Sequence, residues 1–121
     1  MPSKAQITGN LGEEAAASYI EENGFVILDK NYSIKNAEID IIAKDKDTIA
    51  FIEVKTRKTL RKGSPAESVN YTKQKKIISA ALYYIRENNI NNTRLRFDVV
   101  EVFDKNGSYE LKLIKNAFQA S

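Results

Sequence analysis

Apolar residues recur along this chain at two spacings, that of a helix and that of a strand. The helical spacing occurs twice, from about Gly9 to Asn23 and from roughly Thr72 to Asn88. Shorter segments of strand character follow each helix: Phe25–Asn31, Glu38–Lys44, Thr48–Thr56, Leu95–Phe103 and Tyr109–Ile114. The order helix, three strands, helix, two strands predicts an α/β fold, with a mixed sheet and helices packed on it.

Turn-forming residues separate these segments. Asn36, Asp45–Asp47 and Asn106-Gly107 predict tight connections, and Thr59–Asn70 predicts a longer loop. A chain of 121 residues with no repeat and no interior linker suits one domain, so we expect residues 1–121 to fold as a single unit.

Composition narrows the chemistry that is available. The chain has no Cys and no His, which excludes disulfides, thiol chemistry and imidazole ligands or bases. Catalysis would therefore need carboxylates, lysines, hydroxyls or a bound ion. No apolar run approaches the ~20 residues of a membrane span, and no signal-peptide pattern opens the chain. We therefore expect a cytoplasmic protein with no membrane partner.

Positive charge is concentrated in one segment. Eight basic residues lie between Lys55 and Lys76 against one acid, Glu67, so this segment carries +7 within a chain of net charge +3. Such a local positive field favours binding of phosphates. A solvated, lysine-rich loop would give the same pattern, so charge alone leaves both interpretations open.

Two of the predicted strands carry acids that interrupt an apolar face. Side chains alternate faces along a strand, so Glu53 and Lys55 continue the face that begins with Ile49 and Phe51. Asp40 interrupts the preceding strand in the same way. If the two strands form a hairpin, Asp40 and Glu53 meet near one end of the sheet.

The first predicted helix shows a similar anomaly. At 100° per residue, Glu13 falls between Ala17 and Ile20 in the apolar arc, whereas Glu14 falls on the polar arc. Glu13 is therefore predicted to point toward the sheet and Glu14 toward water.

Three inward carboxylates predict a cation between them, because burying them without a partner costs several kcal/mol. Oxygen ligands suit Mg²⁺ (or Mn²⁺), which can polarise a phosphoryl oxygen and lower the pKa of a bound water. Lys55 could orient that water. Alternatively, Glu53 and Lys55 form an ordinary ion pair at a strand end. For Asp98, on the strand face of Arg96, an ion pair with Arg96 is the favoured interpretation.

The same residues resemble a known family. Asp40, followed after twelve residues by Glu53-Val54-Lys55, looks like the PD-(D/E)xK nuclease signature. The segments Ala37–Ile42, Phe51–Arg57, Gly9–Glu13 and Arg96–Val100 resemble the small bacterial YraN family of predicted endonucleases, over about residues 7–115. Ile39 stands where the wider signature has Pro, and Ala37 stands where the family usually has Gly.

This resemblance implies a restriction-endonuclease-like core similar to Holliday junction resolvases. By position, Asp40 and Glu53 would hold the metal together with the carbonyl of Val54, Lys55 would be the catalytic lysine, and Glu13 would complete the site. Resolvases act on two-fold substrates, so a homodimer is also expected.

The leading hypothesis is a Mg²⁺- or Mn²⁺-dependent nuclease acting on DNA, on branched or damaged structures. Five basic residues would track the phosphates: Arg57, Lys58, Arg61, Lys62 and Lys73. Two alternatives stay open, a non-catalytic nucleic-acid-binding or partner-docking module and an RNA substrate, since the basic segment does not distinguish RNA from DNA.

Overall fold

The computed structural model describes residues 4–57, 69–106 and 108–120, with side chains from residue 11 onward. Helix α1 spans Lys4–Glu22 and helix α2 spans Tyr71–Glu87. Five strands complete the fold: β1 Val26–Ile34, β2 Ala37–Asp45, β3 Thr48–Arg57, β4 Arg94–Lys105 and β5 Ser108–Phe118. The predicted order of helices and strands is confirmed.

The five strands form one open sheet in the order β1-β2-β3-β4-β5, so β1 and β5 are its edges. β1, β2 and β3 form an antiparallel meander, and β4 and β5 form an antiparallel pair. β3 and β4 are parallel, joined by the segment that contains α2. The sheet is therefore mixed, as predicted, and is flanked by two helices.

Each helix covers one face of the sheet. Ala16, Ala17 and Ile20 of α1 pack against a cluster that includes Ala50 and Ile52 of β3. α2 packs against the other face, where Ile77, Ala80, Ala81 and Tyr84 meet a cluster containing Phe51 and Phe97. The alternation along β3 thus supplies both cores, because successive strand residues point to opposite faces.

The start of α2 matters for the site. The side chain of Asn70 accepts a hydrogen bond from the backbone N–H of Lys73 at 2.9 Å and caps the helix. This cap satisfies one of the free N–H groups of the first turn, so the helix begins at Tyr71, one residue before the predicted start.

The observed elements extend beyond several predicted boundaries. β5 continues to Phe118 rather than ending at Ile114, because the backbone N–H of Asn116 bonds to the Asp98 carboxylate and Phe118 pairs with Phe97. These partners come from β4, so the apolar pattern of β5 alone does not reveal them. Within the part of the chain that is described, neither helix is long and apolar enough to cross a membrane.

Candidate active site

Asp40 lies where β2 and β3 separate. The pairing of these strands ends at Ile41 and Ile52, one residue before Asp40 and Glu53. Beyond that point the backbone N–H of Val54 donates to Oδ2 of Asp40 at 2.8 Å. A side-chain carboxylate thus takes the place of a ladder carbonyl, which satisfies the N–H and holds Asp40 at the opening between the strands.

The turn before Asp40 is free of the strain that Ala37 could have introduced. The positive φ of this turn, 68°, belongs to Asn36, a residue type that tolerates the left-handed region. Ala37 begins β2 and is absent from the residues with positive φ. Alanine in place of glycine therefore leaves the geometry that leads to Asp40 intact.

Glu53 is nearly buried, with 4% of its surface exposed. The Nζ of Lys73 donates to its Oε1 at 2.6 Å, and the Nζ of Lys55 lies 3.7 Å from the same oxygen. The predicted pair of Glu53 and Lys55 therefore forms, and a second lysine from α2 makes the closer contact. A buried carboxylate needs such partners, since an unpaired charge in this position costs several kcal/mol.

Glu13 reaches the site from α1. It is half-buried and Glu14 is exposed, in agreement with the helical pattern. A Cβ atom on the preceding Gly12 would lie 2.3 Å from Oγ1 of Thr56, so any larger residue would force the Thr56 side chain or α1 to shift. Burial, and then repulsion by Glu38, raise the pKa of Glu13, while its hydrogen bond with Asp40 acts in the opposite direction.

Among the residues of the site, Asp40 has the largest shift in pKa. Burial, and then the charge of Glu53, raise the pKa of Asp40 from its ordinary value of 3.8 to about 7, with a smaller contribution from Glu13. The N–H of Val54 and the charge of Lys73 act against this increase. Close to neutral pH, Asp40 therefore holds a proton part of the time, and a cation could replace that proton.

The two lysines have opposite shifts. Burial, and then the nearby charge of Lys73, lower the pKa of Lys55. Burial also opposes protonation of Lys73, but its hydrogen bond and ion pair with Glu53 prevail and raise its pKa. Lys73 is therefore the fixed cation of the site, and Lys55 is the lysine that releases its proton more readily.

Two clefts meet at Asp40. The larger, about 700 Å³, lies on the α2 side and is lined by Asp40 and Glu53 together with Tyr71, Lys73 and Lys76. The smaller, about 260 Å³, lies on the other side and is lined by Glu13 and Asp40, among others. Asp40 thus connects the two acidic partners, each of which belongs to a different cleft.

The acids of the site could bind a divalent cation as a pair. Among the described residues, no three acidic side chains are grouped closely enough to form a metal site by themselves. The pair Asp40 and Glu53 lines one cleft, as does the exposed Glu38, and Mg²⁺ requires only one or two carboxylates because it retains several waters. The pair fits such an ion, provided that Lys73 gives up or shares Oε1 of Glu53. A metal contact by the Val54 carbonyl stays a prediction, since the bond described there involves its N–H.

The predicted phosphate-binding residues fall into two groups. Arg57 and Lys73 are described, and both already have acidic partners. Nε of Arg57 lies 3.3 Å from Oε2 of Glu101, an ion pair without hydrogen-bonding alignment at Nε. Three others lie outside the described residues: Lys58, Arg61 and Lys62. Phosphate binding by all five stays a prediction.

Glu101 and Tyr71 were missed from the sequence. Glu101 is 9% exposed and lies on β4 beside Lys55, to which it is paired in register. The alternation of β4 places Glu101 on the same face as Val99. An acid on an apolar strand face is the same signal that identified Glu53. Tyr71 had no comparable signal, because it fell between the predicted loop, Thr59–Asn70, and the predicted start of the helix at about Thr72.

A second charged cluster lies on the face of the sheet that packs against α1. Asp98 is fully buried and accepts from Nε of Arg96 at 2.8 Å and from the N–H of Asn116 at 2.9 Å. Arg96 also donates to Asp45 at 2.9 Å, and Lys115 donates to the same oxygen at 3.1 Å. The predicted ion pair of Asp98 and Arg96 is confirmed.

Comparison with known proteins supports the family part of the resemblance noted in the motifs. Residues 12–102 match the model of the uncharacterised protein family UPF0102. A UPF0102 protein of Desulforapulum autotrophicum is 43% identical over 119 residues, 98% of either chain. One of Clostridium tetani is 49% identical over 92% of this chain and 93% of its own, and one of Clostridioides difficile is 54% identical over 78% and 83%. The matched segment runs from Gly12 to Val102 and contains every acid of the site, and on this basis the chain belongs to the UPF0102 family.

Proposed function

We propose that this protein is a Mg²⁺- or Mn²⁺-dependent endonuclease of the PD-(D/E)xK type that hydrolyses phosphodiester bonds in DNA. One observation carries the proposal: Asp40, beside Glu53 in a cleft, has a pKa raised to about 7. Perturbed groups in clefts are typical of functional sites, because folding alone gains nothing from burying acids together. The resemblance of Asp40, Glu53 and Lys55 to the nuclease signature supports the same conclusion.

Each residue of the site has a role in this proposal. Asp40 and Glu53 would hold the ion with the Val54 carbonyl, and the ion would supply polarisation of a phosphoryl oxygen and acidification of a water. Lys55, with its lowered pKa, is suited to accept or donate a proton at its Nζ and to stabilise charge on the phosphate. Glu13, through its hydrogen bond with Asp40, orients that carboxylate.

The cations around the cleft would supply affinity rather than chemistry. Lys76 lines the cleft and is exposed, so it is available for a phosphate. Lys73 becomes available once Glu53 has another cation to bind. Such contacts are ionic and make binding dependent on salt. The homodimer and the cytoplasmic location expected from the sequence stay predictions.

Cleavage assays test the proposal. Linear, nicked, flapped and four-way DNAs are incubated with Mn²⁺, and at least one is expected to be cut. Asp40→Asn and Lys55→Ala should each lower the rate about 100-fold or more, the usual effect of removing one catalytic group. Asp47→Asn, which alters an exposed acid in the turn between β2 and β3, is the matched control and should cut like the wild type. Equal cutting by the wild type and the Asp40→Asn/Lys55→Ala double variant would rule out this site.

A second candidate function is a non-catalytic module that binds nucleic acid. Lys73 favours it, because its ammonium already neutralises Glu53 at 2.6 Å without any metal. Calorimetric titration with Mn²⁺ at pH 8 separates the two functions. Stoichiometric binding that disappears in Asp40→Asn supports the enzyme, whereas salt-sensitive DNA binding that Mn²⁺ does not change supports the module.

A further inference from the structure

Tyr71 is exposed at the entrance of the larger cleft. It is the first residue of α2, 69% of its surface is exposed, and it lines the same cleft as Asp40 and Glu53. Tyr84 on the same helix is buried and packs edge-on against Phe51 and Tyr32. Among the described residues, the ring of Tyr71 has no such packing partner, and Asn70 caps the helix without it.

Lysines lie at this ring and in the cleft that it lines. The Nζ of Lys75 lies 4.7 Å from the ring centroid, within the range of a cation–π contact. Lys73 and Lys76 line the cleft next to the tyrosine. An exposed aromatic ring among cations is the arrangement by which proteins bind single-stranded nucleic acid: the ring stacks on a base and the cations contact the phosphates.

Stacking on Tyr71 limits which nucleic acids can bind at this cleft. Inside an intact duplex, neighbouring bases cover both faces of each base, so no interior base is free to stack on a protein side chain. A base can stack on Tyr71 only where it is unpaired or flipped out, as at a flap, a gap or a junction. The acids in the same cleft would then lie beside the backbone of that unpaired nucleotide.

We propose that Tyr71 is a stacking platform for an unpaired base, and that the substrate is DNA with a single-stranded segment next to the bond that is cut. This inference rests on the proposed function for the cutting step, but its binding step can be measured alone. Lys75 keeps the ring oriented, and Lys76 holds an adjacent phosphate, joined by Lys73 once a metal ion has replaced it at Glu53.

Binding is measured first, in an Asp40→Asn background so that the DNA stays intact. Fluorescence anisotropy compares a labelled single-stranded oligonucleotide with a duplex of the same sequence. Tyr71→Ala should weaken single-strand binding about five- to tenfold and leave duplex binding within twofold, because only the single strand offers a free base. Tyr71→Phe keeps the ring and should bind like the parent. Tyr83→Ala removes a tyrosine of the same helix that is 53% exposed and lies outside the cleft, and it should have no effect.

A spectroscopic measurement detects the stacking itself. The chain has six tyrosines and no tryptophan, so its intrinsic emission comes from tyrosine. Single-stranded DNA should quench part of that emission in the parent, and Tyr71→Phe should lose this part while it retains affinity. If DNA contacts the protein only through charge, the parent and Tyr71→Phe should show the same quenching.

The two proposals fail differently. Unchanged single-strand affinity in Tyr71→Ala, or an equal loss for single strand and duplex, overturns the stacking role even if the wild type cuts DNA. Absence of cleavage by the wild type in Mn²⁺ overturns the nuclease and leaves a Tyr71-dependent binding module. If the wild type cuts a fully paired linear duplex as fast as the flapped DNA, the substrate assignment is wrong.

Discussion

Two aspartates of this sheet, the fully buried Asp98 and the half-buried Asp40, have neighbours of opposite charge. Asp98 is fully buried and is bonded by Arg96 and by the N–H of Asn116. Among the described residues, Asp40 accepts from one N–H, that of Val54, and burial, followed by the charges of two nearby acids, raises its pKa to about 7. The first arrangement stabilises a carboxylate. The second destabilises one, and a protein retains such a group where it has a use for a proton or a cation.

The same contrast applies to the cations. Arg96 serves two acids on one side of the sheet, and Lys73 serves one acid, Glu53, in the cleft. Arg96 joins β2 and β4 because Asp45 and Asp98 lie on these strands. Lys73, in the first turn of α2, joins that helix to Glu53 of β3 in the larger cleft, where a ligand can enter. The comparison thus separates a structural cluster from a site, and three substitutions test it.

The largest expected effect is at the structural cluster. Arg96→Ala leaves Asp98 as a buried carboxylate with the N–H of Asn116 as its remaining named partner, and removing one partner of a buried pair costs ~3–5 kcal/mol. Chemical denaturation at pH 7 should show a loss of this size. Arg94→Ala, an exposed arginine of the same strand, is the control and should change stability by less than about 0.5 kcal/mol. If Arg96→Ala lowers the free energy of unfolding by less than about 1 kcal/mol, the cluster of Arg96 and Asp98 does not have this structural role.

A gain in stability is expected at the site. With a folded-state pKa raised from 3.8 to about 7, protonated Asp40 stabilises the fold fully below pH 4, and this contribution is lost as the pH rises through 7. Asp40→Asn keeps an uncharged side chain at every pH. It should therefore be more stable than the wild type at pH 8 by up to ~4 kcal/mol and nearly equal to it at pH 4.

Denaturation midpoints from pH 4 to pH 8 check this prediction. The difference between Asp40→Asn and the wild type should grow between pH 4 and pH 7 and then level off. Asp47→Asn, with its exposed acid, should follow the wild type throughout. If Asp40→Asn is less stable than the wild type at pH 8, then Asp40 resembles Asp98 and the comparison fails.

The smallest effect concerns how Glu13 reaches Asp40. Gly12→Ala places a methyl group against Thr56, where its Cβ would lie 2.3 Å from Oγ1, so we expect α1 to move away from β3 unless the Thr56 side chain rotates. Overpacking of this kind costs ~1–3 kcal/mol. It should also lower the pKa of Asp40, because Glu13 moves with the helix. Calorimetric unfolding measures the first effect and NMR titration of the Asp40 carboxyl carbon the second.

A second substitution controls for the cause. Thr56→Ala removes the hydroxyl that Gly12→Ala would meet. Gly12→Ala should therefore cost much less stability in the Thr56→Ala background than in the wild type. If the cost is the same in both backgrounds, the contact between Gly12 and Thr56 is not what limits the approach of α1.

Much of this protein follows from local pattern alone. Helical and strand periodicities identified both helices and all five strands, and the alternation of β2 and β3 identified Asp40, Glu53 and Lys55 as charges on apolar faces. Periodicity is a property of neighbouring residues, so it predicts which face a side chain occupies without knowledge of the partner. The half-buried position of Glu13 followed in the same way.

Tertiary structure decided which partner each charged group has. The separation of β2 from β3 gives Asp40 the N–H of Val54, the cap by Asn70 brings Lys73 to Glu53, and the parallel pairing of β3 with β4 brings Glu101 to Arg57. These contacts join segments that are distant in sequence, and a charge has no pattern that names its partner. The sequence therefore determined which charged residues interrupt the apolar pattern. Only the packing decided which of them are neutralised by a partner and which have a shifted pKa, because electrostatic energy depends on distance and burial in three dimensions.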